Sequence, residues 1–188
     1  MEYISTRNIQ KTFSFKNVFL KGLAPDGGLF VPKKIPLYTS QELEKFRNLS
    51  YNDLATKIIL KFCGDEFNET EVKVLVNDSY KNFRAKDVVV IKKLGKINLL
   101  ELFHGPTLAF KDIALQVVGN MYEKILGKYN LKVNVVVATS GDTGAAAISA
   151  IRERKNMKIF VLHPDNKISE IQRKFMTTVN SSNVFNIA

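Results

Sequence analysis

Hydrophobic residues recur at helical spacing through the first part of the chain. Between Ser50 and Gly64, the apolar residues Leu54, Ile58 and Phe62 recur every four positions. This spacing predicts a helix with one apolar face. The helix is expected to begin after the serine, a common N-cap residue, and to end at the glycine.

Two further helices are predicted on either side of this one. Thr39 and Glu42 have the spacing of a capping box, which predicts the start of a short helix. Asn68 is the predicted cap of a third helix, whose inward face carries four apolar residues: Val72, Leu75, Val76 and Tyr80. These helical faces carry no converging polar residues. We therefore predict that residues 1–86 form a mainly helical region with a packing role.

The pattern changes at about residue 87, where short apolar runs begin to alternate with helical stripes. Strands are predicted at residues 88–91, 99–102, 132–138, 158–162 and 184–188. Helices are predicted at residues 113–127, where Gly127 closes the helix, 144–154 and 169–178. A strand, a helix and a strand with short connections form a βαβ unit, whose strands are parallel. Residues 87–188 are therefore predicted to be an α/β domain.

The last predicted strand coincides with the last residues of the sequence. A parallel strand buried on both faces needs neighbours, and it normally continues into a crossover helix. Here the sequence stops at Ala188. The strand is either an edge of the sheet or an interior strand of a longer protein. We expect the second, so that the sequence is the front portion of a longer chain.

Composition narrows the class of partner. The 188 residues carry a formal net charge of +10, but the basic residues are dispersed, and no nucleic-acid-binding signature accompanies them. We therefore expect no nucleic-acid partner. The apolar runs are too short for a bilayer and no signal peptide is evident, so we expect a cytoplasmic protein with no membrane partner. Cys63 is the only cysteine, and no histidine–carboxylate cluster indicates a metal site.

One lysine has an unusual setting. Lys111 follows the apolar segment 108–110 and precedes a helical stripe, with Asp112 as the candidate helix cap. Partial desolvation and a nearby helix N-terminus both disfavour the cation. A neutral lysine amine attacks aldehydes and ketones to form an imine. The alternative is a solvated surface lysine, which is the ordinary state of this residue type.

The second candidate is the turn Ser140-Gly141-Asp142-Thr143-Gly144, between the strongest predicted strand and a helix. Open α/β sheets bind ligands at the carboxyl ends of their strands. The glycines let the backbone approach a ligand, the helix N-terminus offers N–H groups to an anion, and the Ser140 and Thr143 hydroxyls add donors. The turn therefore predicts an anion site. The alternative is an ordinary turn in which Asp142 or Ser140 only caps the helix.

Two histidines are further candidates. His104 lies beside Gly105 and Pro106, upstream of the lysine, where it either contacts a ligand or anchors the loop. His163 precedes Pro164 and is interpreted as a residue at the end of a strand.

These segments resemble threonine synthase. The resemblance rests on Tyr3-Ile-Ser-Thr-Arg7, the turn-rich residues 22–32, Glu101-Leu-Phe-His-Gly-Pro-Thr-Leu-Ala-Phe-Lys-Asp112, and Ala138-Thr-Ser-Gly-Asp-Thr-Gly-Ala145. It implies a pyridoxal 5'-phosphate enzyme of the tryptophan-synthase-β structural class, known as fold type II, with a parallel three-layer βαβ domain. The family is a group of lyases in threonine biosynthesis that convert O-phospho-L-homoserine and water to L-threonine and phosphate.

The resemblance also implies roles for individual residues. Lys111 matches the Schiff-base lysine of the family and is the expected catalytic residue. The residues expected to hold the cofactor are Lys111, Ser140, Gly141, Asp142, Thr143 and Gly144. The residues expected to contact the substrate are His104, Thr107, Ser140 and Thr143.

The sequence departs from the family at two places. Asp165 and Asn166 follow Pro164, where the family has a basic residue and a glycine, and we expect a surface connection there. The family's Gly-Asn-Phe-Gly loop, which cradles the cofactor phosphate, does not occur in the 188 residues. We therefore expect the chain by itself to be inactive or very weak. The alternatives are a related phospholyase that releases 2-oxobutyrate, and a non-catalytic remnant that binds a small anion.

Overall fold

The computed structural model describes residues 1–139, 141–165 and 167–188. By its internal contacts the chain divides into two compact units, Met1–Asn77 and Asp78–Ala188. The division falls within a helix, before residue 86, where the sequence pattern placed its domain boundary. In the described ranges, no helix combines the length and the hydropathy that crossing a bilayer requires.

The first unit begins with a small antiparallel sheet. Its strands are β1 (Glu2–Ser5), β2 (Thr12–Ser14) and β3 (Phe30–Pro32), with β1 in the centre. The sequence pattern missed β1 and β2, because strands of three or four residues are too short to show a clear alternation. The Tyr3 hydroxyl donates to the carbonyl of Phe62 at 2.7 Å and so ties the sheet to the helices.

Four helices of the described chain precede residue 81. They are α1 (Phe15–Lys21), α2 (Ser40–Phe46), α3 (Tyr51–Cys63) and α4 (Glu69–Tyr80). The capping box of Thr39 and Glu42 is confirmed at the start of α2. The inward face of α4 is confirmed as well, because its four predicted apolar residues are buried. The face predicted for α3 is partly wrong: Ile58 is 39% exposed, and the buried residues are Thr56 and Cys63.

An antiparallel hairpin precedes the parallel sheet in the second unit. β4 (Val90–Leu94) and β5 (Ile97–Glu101) pair with Val90 opposite Glu101. The first of these strands begins later than predicted, because Val88 has a φ of 61°, which lies outside the β region. Most side chains of the hairpin are exposed.

The parallel sheet predicted from the sequence is confirmed. Its strands are β6 (Val133–Ala138), β7 (Met157–Leu162) and β8 (Val184–Ile187), adjacent in that order. Helix α6 (Asp142–Ile151) connects β6 to β7, and α7 (Glu170–Thr177) connects β7 to β8. Both connections are therefore βαβ units, and the carboxyl ends of all three strands lie at one edge.

In the described chain, helices cover one face of this sheet. On that face, Met157, Ile159 and Val161 are each at most 2% exposed, under α6 and its neighbour α5 (Lys111–Tyr129). On the opposite face, Val136 is 65% exposed. Parallel sheets normally carry helices on both faces. The described residues thus supply one of the two covering layers.

The ends of two helices correct the sequence-based bounds. Gly127 was predicted to close α5 but lies within it, and Asn130 instead ends the helix with a left-handed φ of 52°. The Asn130 N–H donates to the carbonyls of Leu126 and Gly127. Asparagine is one of the few residues that adopt this conformation readily. Helix α6 ends before its predicted bound, and Glu153 has a φ of 65°.

Candidate functional site

A buried carboxylate organises the loop that leads to α5. Asp112 is fully buried and accepts hydrogen bonds from the N–H of Thr107 at 2.8 Å and from its hydroxyl at 2.7 Å. A Cβ at Gly105 would overlap the Asp112 side chain, so glycine permits this close approach. The prediction that Asp112 caps the helix is wrong: it is the second residue of α5, and Phe110 occupies the N-cap position.

This arrangement limits what Thr107 offers to a substrate. A hydroxyl has one hydrogen to donate, and that of Thr107 is already bonded to Asp112. The predicted substrate contact of Thr107 is therefore restricted to its oxygen as an acceptor.

Lys111 is the first residue of α5, so the buried neighbour Asp112 sets its backbone position. The lysine is half-buried, and its Nζ lies 4.4 Å from the centre of the Phe110 ring. Phe110 is itself 60% exposed. Within the described chain, the lysine amine therefore lies on an apolar surface, and the enclosure expected from the sequence is only partly present.

The turn before α6 is built by hydrogen bonds within the chain. The Thr139 hydroxyl oxygen accepts from the N–H groups of Gly141 at 3.1 Å and of Gly144 at 3.3 Å. This is a pattern that threonine often makes in turns. Two amides that were expected to face an anion are therefore already bonded. The remaining candidates as donors to an anion are the N–H groups of Asp142 and Thr143.

Protein atoms occupy the space beside both glycines of the turn. A Cβ at Gly141 would lie 2.7 Å from Cδ of Gln172, and one at Gly144 would lie 2.5 Å from Sδ of Met176. The sequence predicted that these glycines admit a ligand. In the structure, Gly144 lets α6 pack closely beside α7, and Gly141 makes room for Gln172.

A cavity of about 200 Å³ lies between the loop before α5 and the turn before α6. Its lining includes Thr107 and Ala109 from the loop, Gly141 and Asp142 from the turn, and Gln172 and Phe175 from α7. The two segments that the sequence singled out are therefore adjacent in space. Asp142 is exposed at its surface, so a ligand entering the cavity can reach the carboxylate.

The other predicted residues of the turn have different surroundings. Thr143 lines a separate apolar groove of about 180 Å³ that α5, β6 and α6 enclose. Gly144 is buried. Ser140, which was expected to contact both the cofactor and the substrate, lies outside the described residues.

His104 is paired with a buried glutamate. Its Nε2 lies 3.0 Å from Oε2 of Glu101, and Nζ of Lys92 lies 2.6 Å from Oε1 of the same residue. The hydrogen bond from Lys92 is the main reason that the Glu101 pKa lies below its ordinary 4.5, with burial opposing and the bond from His104 adding. An ionised carboxylate only accepts hydrogen bonds, so Nε2 of His104 carries a hydrogen. The geometry favours the loop-anchoring interpretation of this histidine.

The ion pair predicts a pH-dependent effect of Glu101→Gln. A carboxyl group whose folded-state pKa is lowered contributes stability above its ordinary pKa, and this contribution is lost as pH falls through the lowered value. The thermal midpoint of wild type should exceed that of Glu101→Gln above about pH 5, and the difference should shrink as pH falls below the ordinary pKa of 4.5 and through the lowered value. Glu44→Gln, which removes an exposed pair with Arg47, is the control. A Glu101→Gln difference that persists in strong acid would contradict this account.

Two side chains that shape the site were not predicted. Thr139 could have been found, because a threonine two positions before a glycine has the spacing of a side-chain-stabilised turn. Gln172 donates from Nε2 to Oδ1 of Asp142 at 3.2 Å. No local signal identifies that bond, because its two residues are 30 positions apart.

The order of elements defines the class of protein. Parallel βαβ units follow a helix whose first residue is a lysine, which agrees with the resemblance to the fold type II class of pyridoxal-phosphate enzymes. Residues 2–80 match a family model described as "Threonine synthase N terminus". The chain is 42% identical to the threonine synthase of Pseudomonas aeruginosa, over 100% of this chain and 40% of that protein. Over its whole length, the chain matches the N-terminal portion of threonine synthases.

Solved structures agree with this assignment. A structure of pyridoxal-phosphate-bound threonine synthase from Brucella melitensis superimposes with a TM-score of 0.94 and 38% identity, over 99% of this chain and 40% of that one. Yeast threonine synthase gives a TM-score of 0.94 and 42% identity, over 100% and 40%. The chain thus spans about 40% of the length of these relatives.

Proposed function

We propose that this chain supplies the imine-forming lysine and part of the ligand site of a threonine synthase. The substrates are O-phospho-L-homoserine and water, and the products are L-threonine and phosphate. The observation that carries the proposal is the cavity that brings the loop before Lys111 next to the turn at Asp142. The related threonine synthase from Brucella melitensis binds pyridoxal phosphate, which supports this choice of cofactor.

The described residues fit one end of pyridoxal phosphate. Lys111 offers a primary amine, the group that bonds covalently to an aldehyde. Asp142 adds a carboxylate acceptor and, with Thr143, amide donors at the N-terminus of α6. The sequence holds no Gly-Asn-Phe-Gly segment for the phosphate end. When bound, the cofactor supplies an electron sink for a carbanion on the substrate carbon that carries the amine.

Lys111 has two tasks in this proposal. Its amine holds the cofactor before the substrate arrives. With a substrate bound, the lysine amine would also serve as a base. It then removes and returns protons at the substrate carbons. Elimination of phosphate from the γ carbon and addition of water at the β carbon both need such transfers.

The turn and the cavity walls have the task of binding. The N–H groups of Asp142 and Thr143 lie at the positive end of the α6 dipole, where they attract a carboxylate or a phosphate group. The apolar residues Leu108, Ile171 and Phe175 border the cavity and exclude part of the water. Less water around the ligand strengthens the electrostatic contacts that it makes.

Product analysis tests this proposal. Protein made from its whole natural reading frame and loaded with pyridoxal phosphate should release threonine and phosphate in equal amounts from O-phosphohomoserine. Removing the cofactor should abolish the activity, and adding it back should restore it. Phosphate with 2-oxobutyrate and without threonine would identify the phospholyase alternative. No turnover by the loaded protein would favour a non-catalytic remnant.

A further inference from the structure

Gln172 links the start of α7 to the turn before α6. It is the third residue of α7, whose N-cap is Ser169. Its Nε2 donates to Oδ1 of Asp142 at 3.2 Å, and its Oε1 accepts from the hydroxyl of Ser169 at 3.2 Å. Both polar atoms of the amide are therefore hydrogen-bonded: the nitrogen donates to a carboxylate, and the oxygen accepts from a hydroxyl.

Another helix of this chain shows what the third residue ordinarily does. In α2, Glu42 occupies the same position and returns its carboxylate to the backbone N–H of the N-cap residue Thr39 at 2.7 Å. This is the usual capping box. Gln172 has the spacing for that bond, but its Oε1 accepts from the Ser169 hydroxyl instead, and its amide N–H donates to Asp142. The contact with Asp142 is therefore more than a by-product of helix capping.

Gly141 makes room for this amide. A Cβ at position 141 would lie 2.7 Å from both Cδ and Nε2 of Gln172, and 3.1 Å from Oε1. Any side chain at this position would displace the amide group. The glycine thus admits the amide that bonds Asp142, and Asp142 lines the cavity beside Thr107 and Ala109.

We propose that Gln172 is a positioning residue for the Asp142 carboxylate and thereby sets the affinity of the turn for the cofactor. The inference rests on the proposed function, in which Asp142 contacts pyridoxal phosphate. The bond from Gln172 is exposed, so water competes for it and its contribution to folding is small. Its main effect is orientation, because fixing one carboxylate oxygen restricts the rotamers of Asp142 before the ligand arrives.

The test compares cofactor affinity in matched glutamine variants. Gln172→Glu keeps the shape of the side chain and places a second negative charge beside Asp142. The control is Gln116→Glu, because Nε2 of Gln116 bonds the hydroxyl of Ser149 at 3.2 Å and so joins α5 to α6. Cofactor-free protein from the whole natural reading frame is titrated with pyridoxal phosphate, followed by absorbance. Thermal midpoints are measured without the cofactor.

We expect Gln172→Glu to raise the dissociation constant of pyridoxal phosphate by about tenfold, because the two carboxylates repel and turn apart. Gln116→Glu should leave this constant within about twofold of wild type, since it leaves the turn intact. The midpoints of the two cofactor-free variants should be similar. A merely structural role would lower the midpoint of Gln172→Glu and leave its affinity unchanged.

Each contrary result has a distinct meaning. If wild type binds pyridoxal phosphate and Gln172→Glu has the same dissociation constant, the inference is overturned and the proposed function stands. Equal losses of affinity in the Gln172→Glu and Gln116→Glu proteins also overturn it. A wild-type protein that binds no pyridoxal phosphate overturns the proposed function and the inference together. If Gln172→Glu does not fold, Gln172→Ala replaces it, with an expected rise of about threefold; no change would overturn the inference.

Discussion

Replacing Lys111 by alanine is expected to lower kcat/KM for O-phosphohomoserine by about 10³-fold or more. The substitution removes the amine that holds the cofactor and the base that moves the substrate protons, and no neighbouring group restores both. The side chain is half-buried at the first position of α5. Its loss leaves the Asp112–Thr107 bonds of the preceding loop in place. The measurement is steady-state kinetics on protein from the whole natural reading frame.

One further variant separates the effect of the amine from that of its charge, and a second serves as a control. Lys111→Arg keeps a positive side chain of similar length, but a guanidinium cannot form the imine. It should therefore be as inactive as Lys111→Ala. Lys132→Ala, at an exposed position before β6, should keep wild-type kinetics. Activity in Lys111→Arg close to that of wild type would contradict the assigned role.

Replacing Asn183 by alanine is expected to lower the free energy of unfolding by about 3 kcal/mol. The two N–H hydrogens of the Asn183 amide face three carbonyls, those of Ile151 at 3.0 Å, Arg154 at 3.2 Å and Met157 at 2.9 Å, so one hydrogen is shared. The Oδ1 atom accepts from the N–H of Glu153 at 3.0 Å. The residue is only 8% exposed. Alanine removes this donor from the carbonyls of Arg154 and Met157 where water has little access, which is the costly case. The Ile151 carbonyl keeps the N–H of Arg154, and the Glu153 N–H keeps the Ser181 hydroxyl.

Urea unfolding measures this effect. Asn180→Ala changes an exposed asparagine in the same connection and should stay within about 0.5 kcal/mol of wild type. Asn183→Asp keeps an acceptor for Glu153 but loses the donors and buries a charge, so it should be at least as damaging as Asn183→Ala. An Asn183→Ala protein as stable as the Asn180→Ala control would show that the amide does not hold the connection between α6 and β7.

Local patterns predicted the parts of the fold that depend on neighbours in sequence. The capping box of Thr39 and Glu42 and the three parallel strands were predicted because their signals lie within a few residues. Strands β1 and β2 were missed because they are too short for periodicity. The end of α5 was misplaced because Gly127 looked like a helix stop, whereas Asn130 takes the left-handed conformation.

The site was less predictable than the fold, because its geometry depends on contacts between distant segments. The sequence indicated that Lys111 and the turn carry chemistry, and left a surface lysine and a plain helix cap as alternatives. It did not indicate that Thr139 accepts two of the turn's amides or that Gln172 fills the space beside Gly141. The bonds of Thr139 span two and five positions and have a recognisable spacing. The bond of Gln172 joins residues 30 positions apart and leaves no local pattern.

Locating the covalent bond between protein and cofactor tests directly whether Lys111 forms the imine. Protein from the whole natural reading frame is loaded with pyridoxal phosphate, reduced with borohydride and digested, and the modified peptide is identified by mass spectrometry. One main modified peptide is expected, with the label on Lys111. A label spread over exposed lysines such as Lys132, or concentrated on a residue other than Lys111, would contradict it.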